Sequence, residues 1–290
     1  MRRAGRRFFT LAAVGAIALS VGTSAASAQE EDEFGWFYRA ELSAVLTGGN
    51  SIANTFGLGF TIRSIWETTE LQVRGRGLRT NTGTVTRTAV GTIDDFVVDK
   101  NNNTEVTAEN YFLRGRLDRY INDIFFYFGG LGWERNTFAG FNSRITAVVG
   151  AGNTWMNHET SKFSTTYGLT FTQQDDVVNN PDIADTFIGA QLGADYWLQM
   201  TSSTAFESLF LADANFSDLN DLRFDWTNAI EVKISDTLAF RTALQLLFDN
   251  QPALTTIPLE QPAGTPTGEL VTTPLGKFDT QFTLSLVADF

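Results

Sequence analysis

The chain has 290 residues, no cysteine, one histidine and a formal net charge of −12. The acid excess leaves no basic stripe to neutralise phosphates, which argues against nucleic acid as a partner. The missing cysteine excludes disulfides, thiolate metal sites and thiol catalysis.

The chain opens with Arg2, Arg3, Arg6 and Arg7, an apolar stretch from Phe8 to Val21, and the small-residue run Ala26-Ser27-Ala28. This order reads as a secretory signal peptide over residues 1–28, cleaved on export. The apolar run is shorter than the ~20 residues a spanning helix needs, and no later run is longer, so any membrane crossing must be made by strands. Removing four arginines and no acids takes the net charge from −12 to −16. Residues 29–35 are an acidic lead-in with too little apolar content to pack.

From residue 36 the dominant signal is period two. Segments of about ten residues alternate apolar with polar between turn residues, as barrel strands do. Phe224, Trp226, Ile230 and Val232 alternate with Arg223, Asp225, Thr227, Glu231 and Lys233. Leu238, Phe240, Leu244, Leu246 and Phe248 alternate with Arg241, Gln245 and Asp249. The pattern predicts twelve strands: 36–47, 52–65, 69–80, 105–118, 124–135, 143–156, 163–174, 186–199, 204–216, 222–234, 238–249 and 278–290. Most exceed the ~5–6 residues of an ordinary strand. Trp36, Trp66, Trp133, Trp155 and Trp197 sit near segment ends, where an interfacial girdle belongs.

Links after the even-numbered strands are short, while 81–104 and 250–277 read as long loops. Short periplasmic turns and long outer loops place both termini in the periplasm. Lipid offers no hydrogen bonds, so strands must pair on both sides and the sheet must close. The expected fold is therefore all-β: an antiparallel transmembrane β-barrel of about 12 strands, of the outer-membrane type, over residues 36–290. The terminal face of Phe282, Leu284, Leu286, Ala288 and Phe290 is similar to the assembly signal of outer-membrane barrels, which ends in Phe. The expected location is the bacterial outer membrane. The expected partners are its lipids, lipopolysaccharide and the barrel-assembly machinery, and the expected state is a monomer.

Glu41-Leu42-Ser43 with Thr47-Gly48-Gly49-Asn50-Ser51, Asp118-Arg119-Tyr120-Ile121 with Trp133-Glu134-Arg135-Asn136-Thr137-Phe138, and Phe278-Asp279-Thr280-Gln281-Phe282-Thr283-Leu284 together resemble one family. It is the salt-induced outer-membrane protein family, domain of unknown function family 481. The resemblance spans nearly the whole mature chain. It implies an outer-membrane location and an association with salt stress, without an agreed activity. Family members usually carry Asp where this chain has Asn136.

Candidate chemistry is sparse. Barrel hydrolases activate a Ser or a water with His near the outer rim, but His158 falls in a predicted periplasmic turn with no nucleophile and carboxylate beside it. Asp94-Asp95 and Asp175-Asp176 read as loop charges. Asp218, Asn220 and Asp221, and Asp175, Asp176, Asn179, Asn180 and Asp182, are oxygen-rich loops of the kind that can hold Ca²⁺, but without a calcium-loop spacing. No catalytic residue, metal ligand or cofactor is assigned.

The predicted lumen is more informative. Alternation turns Arg39, Arg63, Arg74, Arg76, Arg114, Arg116 and Arg144 inward from the first half of the chain, against Glu41 and Glu134. The second half contributes Asp195, Glu207, Asp213, Asp225 and Glu231, against Lys233 and Arg241. A basic wall then faces an acidic wall. Two readings follow: a transverse field across a narrow pore for ions or small polar solutes, or charges that pair across the lumen and brace it shut. Inward glycines (Gly57, Gly59, Gly168, Gly189 and Gly193) leave room and favour the pore.

Overall fold

The computed structural model describes residues 34–47, 51–91, 96–137, 139–179, 184–260 and 266–290. The predicted signal peptide, residues 29–33 of the lead-in, the turn at Gly48-Gly49-Asn50, Asp94-Asp95, and Asn180 with Asp182 lie outside the described residues.

The strands are β1 (Gly35–Thr47), β2 (Ser51–Trp66), β3 (Thr69–Gly91), β4 (Phe96–Tyr120), β5 (Phe125–Asn136), β6 (Phe141–His158) and β7 (Ser161–Asp176). They continue with β8 (Thr186–Thr201), β9 (Thr204–Asn215), β10 (Leu222–Lys233), β11 (Leu238–Asp249), β12 (Leu254–Glu260), β13 (Pro266–Pro274) and β14 (Phe278–Asp289). Twelve of these close an antiparallel barrel in the order β1-β14-β11-β10-β9-β8-β7-β6-β5-β4-β3-β2.

Period two decides which face meets lipid. Leu58, Leu131 and Phe282 are 64%, 62% and 63% exposed on the outside. Apolar surface of that extent is a liability in water and a requirement against acyl chains. Their neighbours in sequence turn inward. Trp36 packs edge-on against Trp66 at 6.2 Å near the short-turn end, and Trp133 and Trp155 also face outward. Trp197 does not belong to this girdle. It pairs in register with Lys162 and Glu207 on the lumen side of β8, because its parity follows Asp195.

Two expected loops are strands. β3 and β4 continue as a paired ribbon from Thr82↔Glu105 to Gly91↔Phe96, past a bulge at Thr80/Asn81. Within 250–277, β12 and β13 pair as a separate two-stranded sheet. Both segments are rich in Thr, Asn and Gly, and neither sequence shows the sustained apolar alternation that marks a lipid-facing strand. Beyond the bilayer, backbone pairing needs no apolar face.

Leu244 and Gln245 test the register. Leu244 pairs with Phe282 on the outer face, whereas the Gln245 amide donates to both oxygens of Asp225 at 2.9 and 2.8 Å in the lumen. Leu244→Arg is expected to cost about 2–4 kcal/mol if it sits near the bilayer midplane. Gln245→Arg gains Asp225 as an ion partner and is expected to cost far less. Unfolding titrations in bilayers check this, and equal destabilisation of the two variants contradicts the register.

The C-terminal face joins the ends of the chain. Phe282, Leu284, Leu286 and Phe290 are exposed on the outer face. Tyr38 and Phe290 exchange both backbone hydrogen bonds, at 3.1 and 2.8 Å. If this face is the assembly signal, Phe290→Ser lowers outer-membrane insertion several-fold while export continues. The measurement is the heat-modifiable barrel fraction in the outer membrane, and an unchanged fraction rules the signal out.

A charged lumen as the candidate functional site

The register places Arg39, Arg63, Arg74, Arg76, Arg114, Arg116 and Arg144 on the inner face, together with Asp195, Glu207, Asp213, Asp225 and Glu231. Their pairing divides the lumen into levels along its axis.

At the short-turn end a continuous network forms. Arg39 binds Asp289 through Nε at 2.7 Å and Glu231 through Nη1 at 3.0 Å. The Glu231 contact reaches past β14 and β11 to β10. Arg241 joins Glu231 at 3.6 Å and also pairs with Glu207. The inner wall here is built from Ala229, Ala239, Ala243 and Val287, all buried. Small side chains leave the depth that long guanidinium side chains then fill.

On the opposite wall the arginines are met by acids of their own neighbourhood. Arg63 grips Glu70 with two nitrogens, one at 2.9 Å, and Arg116 binds Asp118 at 2.6 Å and lies over the Phe128 ring at 4.1 Å. Further along, Glu134 is shared between Arg114 and Arg144, each at 3.0 Å. Arg144 also donates to Gln174 at 2.7 Å. Arg223 binds Asp221 at 3.1 Å at the far end.

Basic strands do face acidic strands, but most basic side chains are neutralised within their own wall. Arg39–Glu231 is the one ion pair among the described residues that joins the predicted basic set to the predicted acidic set. The sequence reading left out Glu70, Asp118 and Asp289. Their parity already turns them inward, two residues from another inward position on the same strand, and that rule finds them.

A second group makes no close ion pair among the described residues. Among the described residues, Arg74 has no hydrogen-bonded or ion-paired partner, although it stands directly opposite Arg114 in register. Asp195 likewise has none. Asp213 is held by the Gln191 amide at 2.9 Å, and Asp225 by Gln245 and, at 3.3 Å, by Thr227. The basic charges that act most on Asp195 are Arg74, Arg116 and Arg63.

Four of the five glycines leave no room for a methyl, contrary to the sequence reading, while one on Gly59 would meet Glu41 at an ordinary 3.4 Å. A methyl on Gly57 would overlap Ser43 and crowd Leu78, and one on Gly193 would overlap Thr166. A methyl on Gly168 would come within 2.9 Å of the Val149 carbonyl oxygen, 3.1 Å of Val148 and 3.4 Å of Phe128. These positions admit neighbouring side chains into the lumen, so glycine content is no measure of pore width.

The carboxylates of the loop between β9 and β10 have structural work. Asp218 accepts from the Asn220 backbone at 2.9 Å and from Gln251 at 2.7 Å, and these bonds hold its carboxyl below the usual range. Asp221 holds Arg223 and the Asn215 amide. Asn136 accepts from the Ala139 N–H at 3.0 Å and shapes the turn after β5. His158 is exposed at the end of β6. No group of three or more His, Asp or Glu side chains suited to a metal occurs among the described residues.

A closed antiparallel barrel with an apolar exterior and a charged interior defines an outer-membrane-type β-barrel. Residues 40–260 match the family described as Protein of unknown function, DUF481, and the chain belongs to that family. No curated protein matches it. Among solved structures, it is similar to the NanC porin, at 7% identity over 88% of this chain and 98% of that one, with a TM-score of 0.43. An anion-selective porin from Comamonas acidovorans shares 10% identity over 88% and 99%, with a TM-score of 0.38. The translocator domain of the autotransporter NalP from Neisseria meningitidis shares 10% over 88% and 87%, with a TM-score of 0.41.

Proposed function

We propose that the protein is a narrow outer-membrane pore for ions or small polar solutes. One observation carries this reading: among the described residues, Arg74, Asp195, Asp213 and Asp225 stand in the lumen without counter-ions within pairing distance. A sealed interior would leave such charges uncompensated at a cost of several kcal/mol each, whereas water in a channel solvates them. A twelve-stranded barrel lies between the filled eight-stranded and the open sixteen-stranded sizes. The Arg39–Glu231–Arg241–Glu207 network supplies a constriction at the short-turn end. The family resemblance adds a link to salt stress.

The test is conductance of refolded protein in planar bilayers. Discrete steps that saturate with solute support the pore. A silent barrel transfers the reading to a structural envelope protein whose short-turn network is a plug, which the span of Arg39 across two strands favours.

A further inference from the structure

The outer wall changes character at one level on three adjacent strands. The alternation that turns Arg114 and Glu134 inward turns Tyr111 and Leu113 of β4, and Leu131 and Trp133 of β5, outward. Leu113, Leu131 and Trp133 are exposed there. Gly77 of β3 stands beside Tyr111 in register, and a Cβ on it would meet the Tyr111 ring at 3.1 Å. One outward position further from the short turns, each strand carries a charge: Arg79 on β3, Glu109 on β4 and Arg135 on β5. Phe56, in register with Arg79 on β2, carries none.

Strand geometry sets the depth of this level. Arg79 lies ten positions after Thr69, Glu109 ten before Arg119 and Arg135 ten after Phe125. Ten residues rise about 34 Å along a strand, or about 26 Å across the membrane at a tilt of ~40°, against an apolar band of ~25 Å. Trp36 and Trp66 mark the opposite rim. The three charges therefore stand at the far membrane interface, which is the outer leaflet when the short turns face the periplasm. Both guanidiniums approach Glu109, Arg79 Nε at 3.8 Å and Arg135 Nε at 3.9 Å. These contacts exceed hydrogen-bond length. Among the described residues neither arginine donates a hydrogen bond, and their side chains are 54% and 39% exposed.

We infer that Arg79 and Arg135 bind the phosphate of an outer-leaflet glycolipid, the lipid A end of lipopolysaccharide, whose acyl chains lie over Leu113 and Leu131. Charge complementarity and depth carry the choice. Guanidinium forks match phosphate geometry, and the triad keeps one net positive charge. Glu109 holds the two like charges near each other, within reach of one phosphate. A phosphate at this depth has its acyl chains running down the apolar wall beneath it. Tyr111 and Trp133 stand at the junction, where an aromatic ring packs against a sugar face. The Trp133 ring is fixed by its Nε1–H, which donates to Ser143 Oγ at 3.1 Å. This surface lies outside the lumen, so the inference stands whether or not the lumen conducts.

The probe is diphosphoryl lipid A, titrated into refolded protein in detergent micelles and read by native mass spectrometry. It should bind saturably, and its dephosphorylated form should bind about tenfold more weakly. Arg79→Gln/Arg135→Gln should weaken the phosphorylated form about tenfold or more, since charge-assisted pairs are the stronger polar contacts. Arg79→Lys/Arg135→Lys keeps both charges without the planar fork and should recover part of the binding. Arg119→Gln is the control. Arg119 is exposed at the short-turn rim, where it donates to Thr69 Oγ1 at 2.7 Å, and its loss should leave binding unchanged. Heat-modifiability checks the barrel in each variant. The comparison of the two lipid A forms uses the unaltered protein, so it decides the matter even if a variant fails to fold. Equal binding of the two forms, unchanged binding in the double glutamine variant or an equal loss in the Arg119 variant overturns the site. Equal binding of phosphatidylglycerol, or displacement by millimolar inorganic phosphate, overturns the glycolipid.

Discussion

Replacing Arg74 and Arg114 together by glutamine is expected to raise the cation-to-anion permeability ratio roughly three- to tenfold at ~0.1 M salt and to have little effect at ~1 M, where the Debye length is about 3 Å. The two residues stand in directly opposed positions on β3 and β4, like charges on one face of the pair. Among the described residues Arg74 has no hydrogen-bonded or ion-paired carboxylate, and Glu134 keeps Arg144 at 3.0 Å when Arg114 is lost. Stability should therefore stay within about 1 kcal/mol of the parent, because relieved repulsion offsets one lost pair. Reversal potentials under a salt gradient, read beside thermal unfolding, check both halves. An unstable double variant with no conductance in the parent points instead to a sealed, braced lumen.

Arg39→Ala should have the opposite profile: a large loss of stability and a wider pore. Arg39 satisfies Asp289 and Glu231 at once and ties β1 to β10. Its removal leaves two acids facing each other, with Arg241 at 3.6 Å from Glu231 as the remaining cation. Breaking a fully buried pair costs about 3–5 kcal/mol. The side chains of Arg39 and Glu231 are 32% and 15% exposed, so solvent lowers the expected loss to about 1–3 kcal/mol. The same truncation empties the constriction, so unitary conductance should rise at least twofold and its selectivity should turn toward cations. Arg39→Lys should recover the charge and little of the bidentate geometry. Unchanged conductance with lowered stability would move the constriction elsewhere along the axis.

The two results depend on different layers of information. Which face Arg74, Arg114 and Arg39 present was legible in the chain, because a strand alternates strictly and only one face can meet lipid. A polar residue between Leu244 and Leu246 has to turn inward whatever else the fold does. The same contrast of lipid and water set the twelve barrel strands, their direction and the apolar terminal face of Phe282 to Phe290. It failed where the contrast vanishes. The β3–β4 ribbon beyond Thr80 and the β12–β13 hairpin are paired through their backbones with no sustained apolar alternation in their sequences, and period two carries no signal there.

Partner choice inside the barrel belongs to the closed tertiary structure. Arg39 meets Glu231, 192 positions away, because closure and strand stagger bring β1 and β10 to one level, and nothing in either segment encodes that distance. Whether an inward glycine opens the lumen or admits a ring depends on which strand lies opposite, as Phe128 beside Gly168 shows. Alternation assigns each residue a side of the wall, and only the folded wall decides who stands across from it.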